Sequence, residues 1–180
     1  MDAQAAPAPP MRAPDRWLAV LRIAVGAWFA KALFQKLSVT LAWGLLPVPT
    51  ASDRWLRLMP TLVTKYAEGN PLGFYKDFML NSVVPNSHVY AQLTAFGEAA
   101  VGLGLVFGCL TPLASSVGLL LVLTYGLAVQ WQGPAQQGFH YTLFVSLVVI
   151  FATRAGRTWG VDGWVRARRP GSWLDRKSVV

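Results

Sequence analysis

The chain has 180 residues, of which 54% are hydrophobic and 13% are charged, and its formal net charge is +8. Soluble domains carry about 25% charged residues, so the composition excludes an ordinary soluble domain and indicates a polytopic membrane protein. The positive charge collects beside apolar segments near the chain ends, which favours membrane lipid over nucleic acid as the partner. The single cysteine, Cys109, excludes an internal disulfide and a cysteine-based zinc or iron–sulfur site within this chain.

The first membrane span is predicted over about residues 17–37, after an Ala- and Pro-rich stretch, residues 1–15, that we expect to be a disordered cytoplasmic tail. The apolar run is long enough to cross a hydrocarbon core of about 30 Å at 1.5 Å per residue. Three cations interrupt it: Arg22, Lys31 and Lys36. At about 100° per residue, the first and the last of them lie within about 40° of each other and share a face. We expect Arg22 to be structural.

An outer loop is predicted over residues 38–88, where Pro, Asn and Gly interrupt short apolar patches and no run is long enough to span. Large apolar residues recur at helical intervals along two stretches, one beginning at Trp55 and the other at Phe74. These patterns predict two short amphipathic helices at the membrane interface, where aromatic side chains are common.

Three further spans follow, over about residues 89–110, 113–130 and 139–153. In the first of these, Ala100, Gly104 and Gly108 have the small-xxx-small spacing that lets a neighbouring helix approach closely. The fold class is therefore all-α: a four-helix transmembrane bundle that forms one domain over residues 16–165. A basic cytoplasmic tail is expected over residues 166–180.

Lysine and arginine are most numerous after the fourth span. Four spans place both chain ends on one side, and the positive-inside rule makes that side the cytoplasm. We therefore expect a multi-pass protein of a bacterial or archaeal cytoplasmic (inner) membrane, with both termini in the cytoplasm and the loop outside.

A polar cluster is predicted in the outer half of the bundle. Glu98 is the only acid in the second and third spans, and a carboxylate at this depth costs about 2.5–3.5 kcal/mol to insert, so it should face protein or water. One interpretation is a closed ion pair of Glu98 with Lys31, which lies at nearly the same depth, or with Arg22. The other is a pocket for an anion or a quinone headgroup, with cations that attract charge and groups that move protons.

The candidate residues of such a pocket divide by role. Glu98 and His140 would be catalytic and move protons, while Lys31, Lys36 and Tyr125 would bind the substrate. The sequence contains no haem-attachment motif, nucleotide-binding loop or metal-ligand cluster, so no haem, metal or nucleotide is predicted.

The first span resembles the first helix of the DoxX/DoxD family in the sequence LRIAVGAWFAKALFQKL, with Arg22, Gly26, Phe29 and Lys36 at the matching positions. The segment that begins NPLGFYKDFML and the sequence RAGRTWGVD are similar to the family's outer loop, Glu-bearing second helix and the stretch after its fourth helix. In all, the resemblance covers about residues 17–165.

This resemblance implies the small membrane subunit of a thiosulfate:quinone oxidoreductase, which oxidises thiosulfate to tetrathionate and passes electrons to quinone. Quinone is then the expected electron acceptor, and further membrane or peripheral subunits are the expected partners. The alternative is a non-catalytic accessory or scaffold subunit of a larger membrane energy-converting or redox complex, in which the polar cluster only braces the helices.

Overall fold

The computed structural model describes residues 13–42 and 45–168 of the chain. The two predicted tails therefore lie mostly outside the described residues, and their inner ends belong to the first and the last helix. In chain order the helices and strands are α1 (Ala13–Ala30), α2 (Ala32–Gln35), β1 (Leu37–Ala42), β2 (Leu46–Ala51), α3 (Asp53–Glu68), α4 (Gly73–Phe78), α5 (Ser87–Phe107), α6 (Thr111–Val129), α7 (Pro134–Thr153) and α8 (Val161–Arg168).

Four helical segments of the described chain are long and apolar enough to cross a membrane, which confirms the predicted polytopic bundle. They are Pro14–Gln35, which joins α1 to α2, and Ser87–Phe107, Thr111–Gln132 and Pro134–Thr153. The last begins five residues before the predicted fourth span, because Pro134 occupies the first turn of α7, where a helix needs no backbone N–H donor. This extension gives α7 20 residues, enough to span.

The segment between the first two spans, which was predicted as the outer loop and keeps that name here, contains a β-hairpin that was not predicted from the sequence. β1 and β2 pair antiparallel, with Leu37 opposite Ala51. Pro47 and Pro49 in β2 argue against a central strand, and proline is tolerated here because the described sheet has only two strands and both are edges. The two amphipathic helices follow as expected: α3 over the first apolar stretch and α4 over the second. We call the end of the bundle that carries the hairpin the hairpin end.

Close packing of α1 against α5 depends on two glycines. A Cβ added to Gly26 would lie 2.7 Å from the backbone nitrogen of Val106, and one added to Gly102 would collide with the backbone of Ala30. The two helix backbones are therefore in direct contact, as small residues allow in membrane proteins.

Two residues of the small-residue stripe predicted on α5 pack closely against neighbours other than the backbone of α1. Ala100 is exposed, and Gly104 faces Ala114 of α6. Gly108 ends α5 in the left-handed conformation, with φ of 61°, and lies against the side chain of Arg22. The reason is rotational: residues spaced by four drift around the helix, and here α1 meets the neighbouring face.

The opposite end of the bundle, which we call the arginine end, is closed around Arg22. This side chain is fully buried, and its guanidinium donates hydrogen bonds to the carbonyl oxygens of Ala155 (3.0 Å), Thr158 (3.2 Å) and Trp159 (3.0 Å). A buried cation is tolerated only when polar groups replace its hydration, and here the loop after α7 supplies them. Arg22 therefore joins α1 to that loop through three hydrogen bonds.

Candidate functional site

Glu98 lies in α5 and is the centre of a hydrogen-bonded cluster near the hairpin end. Its Oε1 accepts a charge-assisted hydrogen bond from Lys36 Nζ at 2.8 Å and another from the hydroxyl of Tyr125 at 2.6 Å. The side chains of Lys36 and Glu98 are 18% and 12% exposed, so the ion pair is largely buried. The predicted pairing of Glu98 with Lys31 or Arg22 was wrong.

The angular positions of the two lysines around the first span explain which of them pairs with Glu98. Lys31 and Lys36 are five residues apart and therefore about 140° apart around a helix, so both cannot face α5. Lys36 shares the face of Arg22, which is the buried face, and its long side chain reaches back to the acid. Lys31 is on the exposed side, with its ammonium 3.1 Å from the ring centroid of Trp28.

An aromatic residue of the outer loop covers the cation. Lys36 Nζ lies 4.0 Å from the ring centroid of Trp55 in α3, and the indole N–H of Trp55 donates to the carbonyl oxygen of Ala91 at 3.1 Å. Cation–π attraction and the fixed indole together hold the ammonium over the acid. Trp55 was not predicted as a site residue. The signal in the sequence was its position at the start of the apolar stripe of the amphipathic helix, the face that packs on the bundle.

A cavity of about 250 Å³ adjoins this cluster and brings together all five residues predicted as catalytic or substrate-binding. Its lining comes from the first span, α5, α6 and α7 and consists of Trp28, Phe29, Lys31, Ala32, Gln35, Lys36, Glu98, Val122, Tyr125, Phe139, His140 and Leu143. The ion pair therefore forms one wall of an open space, and the ligand of that space, an anion or a quinone headgroup, stays a prediction.

His140 contributes a second titratable group to the cavity. It is buried, and its Nδ1 lies 2.7 Å from the carbonyl oxygen of Gln136. Because a carbonyl only accepts hydrogen bonds, Nδ1 carries a proton, and in the neutral ring Nε2 is left as an acceptor. Glu98 and His140 both line the cavity, and the hydrogen bonds of the two side chains go to different partners.

The mouth of the cavity lies between the first span and α7. Trp28 and Phe139 line it, both are exposed on the side of the bundle, and their ring centroids are 5.0 Å apart. Lys31 and Gln35 are the other exposed lining residues. Two exposed aromatic rings beside a lysine and a glutamine make this opening suited to an apolar ring as well as to a polar solute.

The helices of the outer loop are fastened to α6 next to the cavity. Tyr75 of α4 is buried, and its hydroxyl donates to the carbonyl oxygen of Thr124 at 2.7 Å. Burial raises the pKa of Tyr75 to about 12. Asn70 donates to the carbonyl oxygen of Leu127 at 2.7 Å. These bonds fix the turn of α6 that carries Tyr125.

Over residues 13–42 and 45–168, no three His, Cys, Asp or Glu side chains converge in a way that could hold a metal ion. The chemistry of the described site thus rests on one carboxylate, two lysines, a phenol and an imidazole. These groups bind anions and carbonyl oxygens and exchange protons.

The fold and the site define a multi-pass membrane protein with a charged, aromatic-lined cavity inside its helix bundle. A family model described as TQO small subunit DoxD, where TQO denotes thiosulfate:quinone oxidoreductase, matches residues 17–179. The chain therefore belongs to the DoxD family, which confirms the resemblance found in the first span. No curated protein and no solved structure matches the chain.

Proposed function

We propose that this protein is the membrane subunit of a thiosulfate:quinone oxidoreductase-like system of a bacterial or archaeal cytoplasmic membrane, and that its cavity binds the quinone headgroup. The observation that carries the proposal is the lone acid Glu98, held with Tyr125 and Lys36 on the wall of a 250 Å³ cavity with an aromatic mouth. Membership of the DoxD family supports the same class of system.

The size and lining of the cavity suit a single ring with carbonyl oxygens. Pockets for drug-sized ligands are about 300–1,000 Å³, so a cavity of about 250 Å³ is suited to a headgroup or a small anion. A quinone tail would leave through the mouth beside Trp28 and Phe139 into the lipid. The ammonium of Lys36 has N–H groups beyond the one bonded to Glu98, and the imidazole of His140 would donate from Nε2 after taking up a second proton. These are the donors that a quinone carbonyl oxygen would meet.

Quinone supplies the two-electron acceptor: two thiosulfate anions joined through a new S–S bond release two electrons, and the quinone takes these with two protons to become quinol. The part of this chain is to bind, orient and move protons. Tyr125 donates to the carboxylate of Glu98 in this structure. Once Glu98 takes up a proton, it would donate to the phenol oxygen, and the phenol would then pass its own proton to the cavity. His140 offers a second exchange site on the opposite helix.

The two lysines have different tasks in this proposal. Lys36 is neutralised by Glu98, so its charge serves the acid rather than a substrate anion. Lys31 has an ammonium stacked on Trp28 at the mouth, which makes it the cation that attracts thiosulfate or another small anion. The DoxD chain is named as a small subunit, so we expect the complete reaction to need a partner subunit.

One observation favours the alternative, a non-catalytic scaffold subunit. The hydrogen bonds from Lys36 and Tyr125 to Glu98 already form a satisfied polar network that joins the first span, α5 and α6. As a brace, this network would be needed for assembly of the complex and not for proton transfer.

The deciding experiment uses the complex purified through this full chain and reconstituted in nanodiscs. We would measure quinone binding by quenching of tryptophan fluorescence and thiosulfate-dependent quinone reduction. Glu98→Gln and Tyr125→Phe should each lower reduction at least 10-fold while the complex stays assembled. The matched controls are Glu68→Gln and Tyr141→Phe, which change the same chemistry at exposed positions outside the cavity.

Two results would decide for the scaffold. If quinone does not bind and both cavity variants keep full activity, the catalytic proposal is wrong. If the variants instead lose partner subunits in proportion to their loss of activity, the network is a brace.

A further inference from the structure

A second cavity lies at the arginine end, far from the proposed quinone site. It is lined by Pro112, Arg154, Arg157, Asp162 and Arg166. The three arginines come from three different places: the residue that ends α7, the turn after it, and α8. The fold therefore gathers three guanidinium groups around one small space.

The single acid in this cluster has a structural task. The carboxylate of Asp162 accepts hydrogen bonds from the backbone N–H groups of Leu110 (2.8 Å) and Thr111 (2.9 Å), at the start of α6. It thereby satisfies N–H groups that a helix start leaves without partners. Three arginines and one aspartate leave the lining with a net charge of about +2 even when Asp162 is paired with one of them.

The cavity has room for about two or three of the four oxygens of a tetrahedral oxyanion. Its volume is about 30 Å³, and by this measure one water needs about 10–15 Å³, so it holds about two or three water-sized groups. Guanidinium groups bind phosphate oxygens in a planar, two-pronged geometry, which makes arginine the preferred partner for a phosphate.

The surroundings place this cavity at a membrane surface. Trp159 and Trp164, which bracket the start of α8, are both exposed. Tryptophan is enriched at the depth of lipid headgroups, and Pro112 and Arg154 mark the ends of two spanning helices. A phosphate that enters here is therefore most readily supplied by a phospholipid whose acyl chains lie along the bundle.

We propose that the cavity of Arg154, Arg157 and Arg166 is a specific site for the phosphate of an anionic phospholipid. The lipid would also steady the loop after α7, whose carbonyl groups surround Arg22. This site is independent of the proposed quinone chemistry, so either proposal can fail without the other.

The test uses the full-length protein in mild detergent, with phosphatidylglycerol or phosphatidylcholine added at equal concentration. Native mass spectrometry should show phosphatidylglycerol retained at a concentration at least 10-fold lower than phosphatidylcholine, and it should raise the thermal unfolding temperature. The variant Arg157→Gln/Arg166→Gln should lose both the retention and the temperature shift. Arg168→Gln removes one charge from the same helix outside the cavity and should keep both.

A further arm separates a lipid from free phosphate. Inorganic phosphate at millimolar concentration should not displace phosphatidylglycerol or reproduce its temperature shift. If it does both, the cavity binds free phosphate and the lipid proposal is overturned. Equal retention of the two lipids by the wild-type protein also overturns it and needs no variant. Should the double variant fail to fold, Arg157→Lys, which keeps the charge and loses the planar fork, should weaken retention severalfold.

Discussion

Lys36 and Glu98 are 62 residues apart in the chain, and their charged atoms lie 2.8 Å from each other. The pair joins the end of the first span to the middle of α5. Because the same carboxylate oxygen also accepts the hydroxyl of Tyr125, one acid connects three of the four spanning segments. The position of the cavity therefore depends on a single group.

Replacing only Lys36 should leave the buried negative charge of Glu98 without a paired cation. Lys36→Met should lower the free energy of unfolding by about 3 kcal/mol, because breaking one side of a buried ion pair costs about 3–5 kcal/mol and this pair keeps some exposure. Lys36→Met/Glu98→Gln should recover at least half of that loss. Unfolding in detergent, analysed as a double-mutant cycle, measures the coupling. Additive effects of the two single changes would show that the pair contributes no coupling.

A methyl group added at two glycines should change stability in opposite directions, because Gly102 lies in the contact between α1 and α5 and Gly138 lies outside it. Gly102→Ala should destabilise the bundle by about 1–3 kcal/mol, because the new methyl group meets the backbone of Ala30. Gly138→Ala in α7 has open space around the new methyl group and should be neutral or stabilising by up to about 1 kcal/mol. Thermal unfolding of the two variants side by side checks the difference; equal effects would contradict the close approach.

The buried guanidinium of Arg22 should not be replaceable by an ammonium. Arg22→Lys keeps the charge but cannot reach three carbonyl oxygens in one plane, so at least one carbonyl loses its donor. We expect a loss of about 2 kcal/mol or more in unfolding free energy. The control is Arg16→Lys, at an exposed position of the same helix, which should change stability by less than about 0.5 kcal/mol.

Because of Tyr75, the wild-type protein and the variant Tyr75→Phe should differ in how much stability they lose at alkaline pH. Its pKa is about 12 in the folded protein against 10.0 for the unperturbed phenol, so the unfolded chain loses this proton first. The stabilisation is complete below pH 10 and is lost as the pH rises to 12, an effect of about 2–3 kcal/mol. Tyr75→Phe should cost about 1 kcal/mol near pH 8 through the lost bond to Thr124 and should lose less stability above pH 10. Unfolding curves of both proteins that stay parallel from pH 8 to 12 would contradict this.

The spanning helices and the members of the cavity were predictable because both follow from one-dimensional quantities. Apolar run length located the spans, and depth at 1.5 Å per residue grouped Glu98 with Tyr125, His140 and the two lysines. Depth alone does not show which lysine pairs with Glu98, because it does not give the angular position of a residue around its helix. The angle around the helix was a better predictor of the partner of Glu98. It placed Lys36 on the same face as Arg22, and that face is buried.

Features that arise from tertiary packing were missed. The strands β1 and β2 contain two prolines and no strict alternation of polar and apolar residues. Only the location of this segment between two spanning segments favours a hairpin. Trp55 covers the ion pair from a helix that the sequence places only at the interface. The small-residue stripe has the same limit: its spacing identifies a face of α5, and only the packing shows that Gly104 meets α6.

The two ends of the bundle are separated by a layer of apolar side chains. Val25, Val101 and Leu147 are buried, and each lies along its own helix between the residues of the cavity and those of the arginine end. Ions and protons cross such a layer poorly, so under the proposed function Glu98 would receive protons from the compartment that the hairpin faces. Quinol made in the cavity would then take both protons from that one compartment, and with thiosulfate oxidised in the same compartment the reaction would move no charge across the membrane.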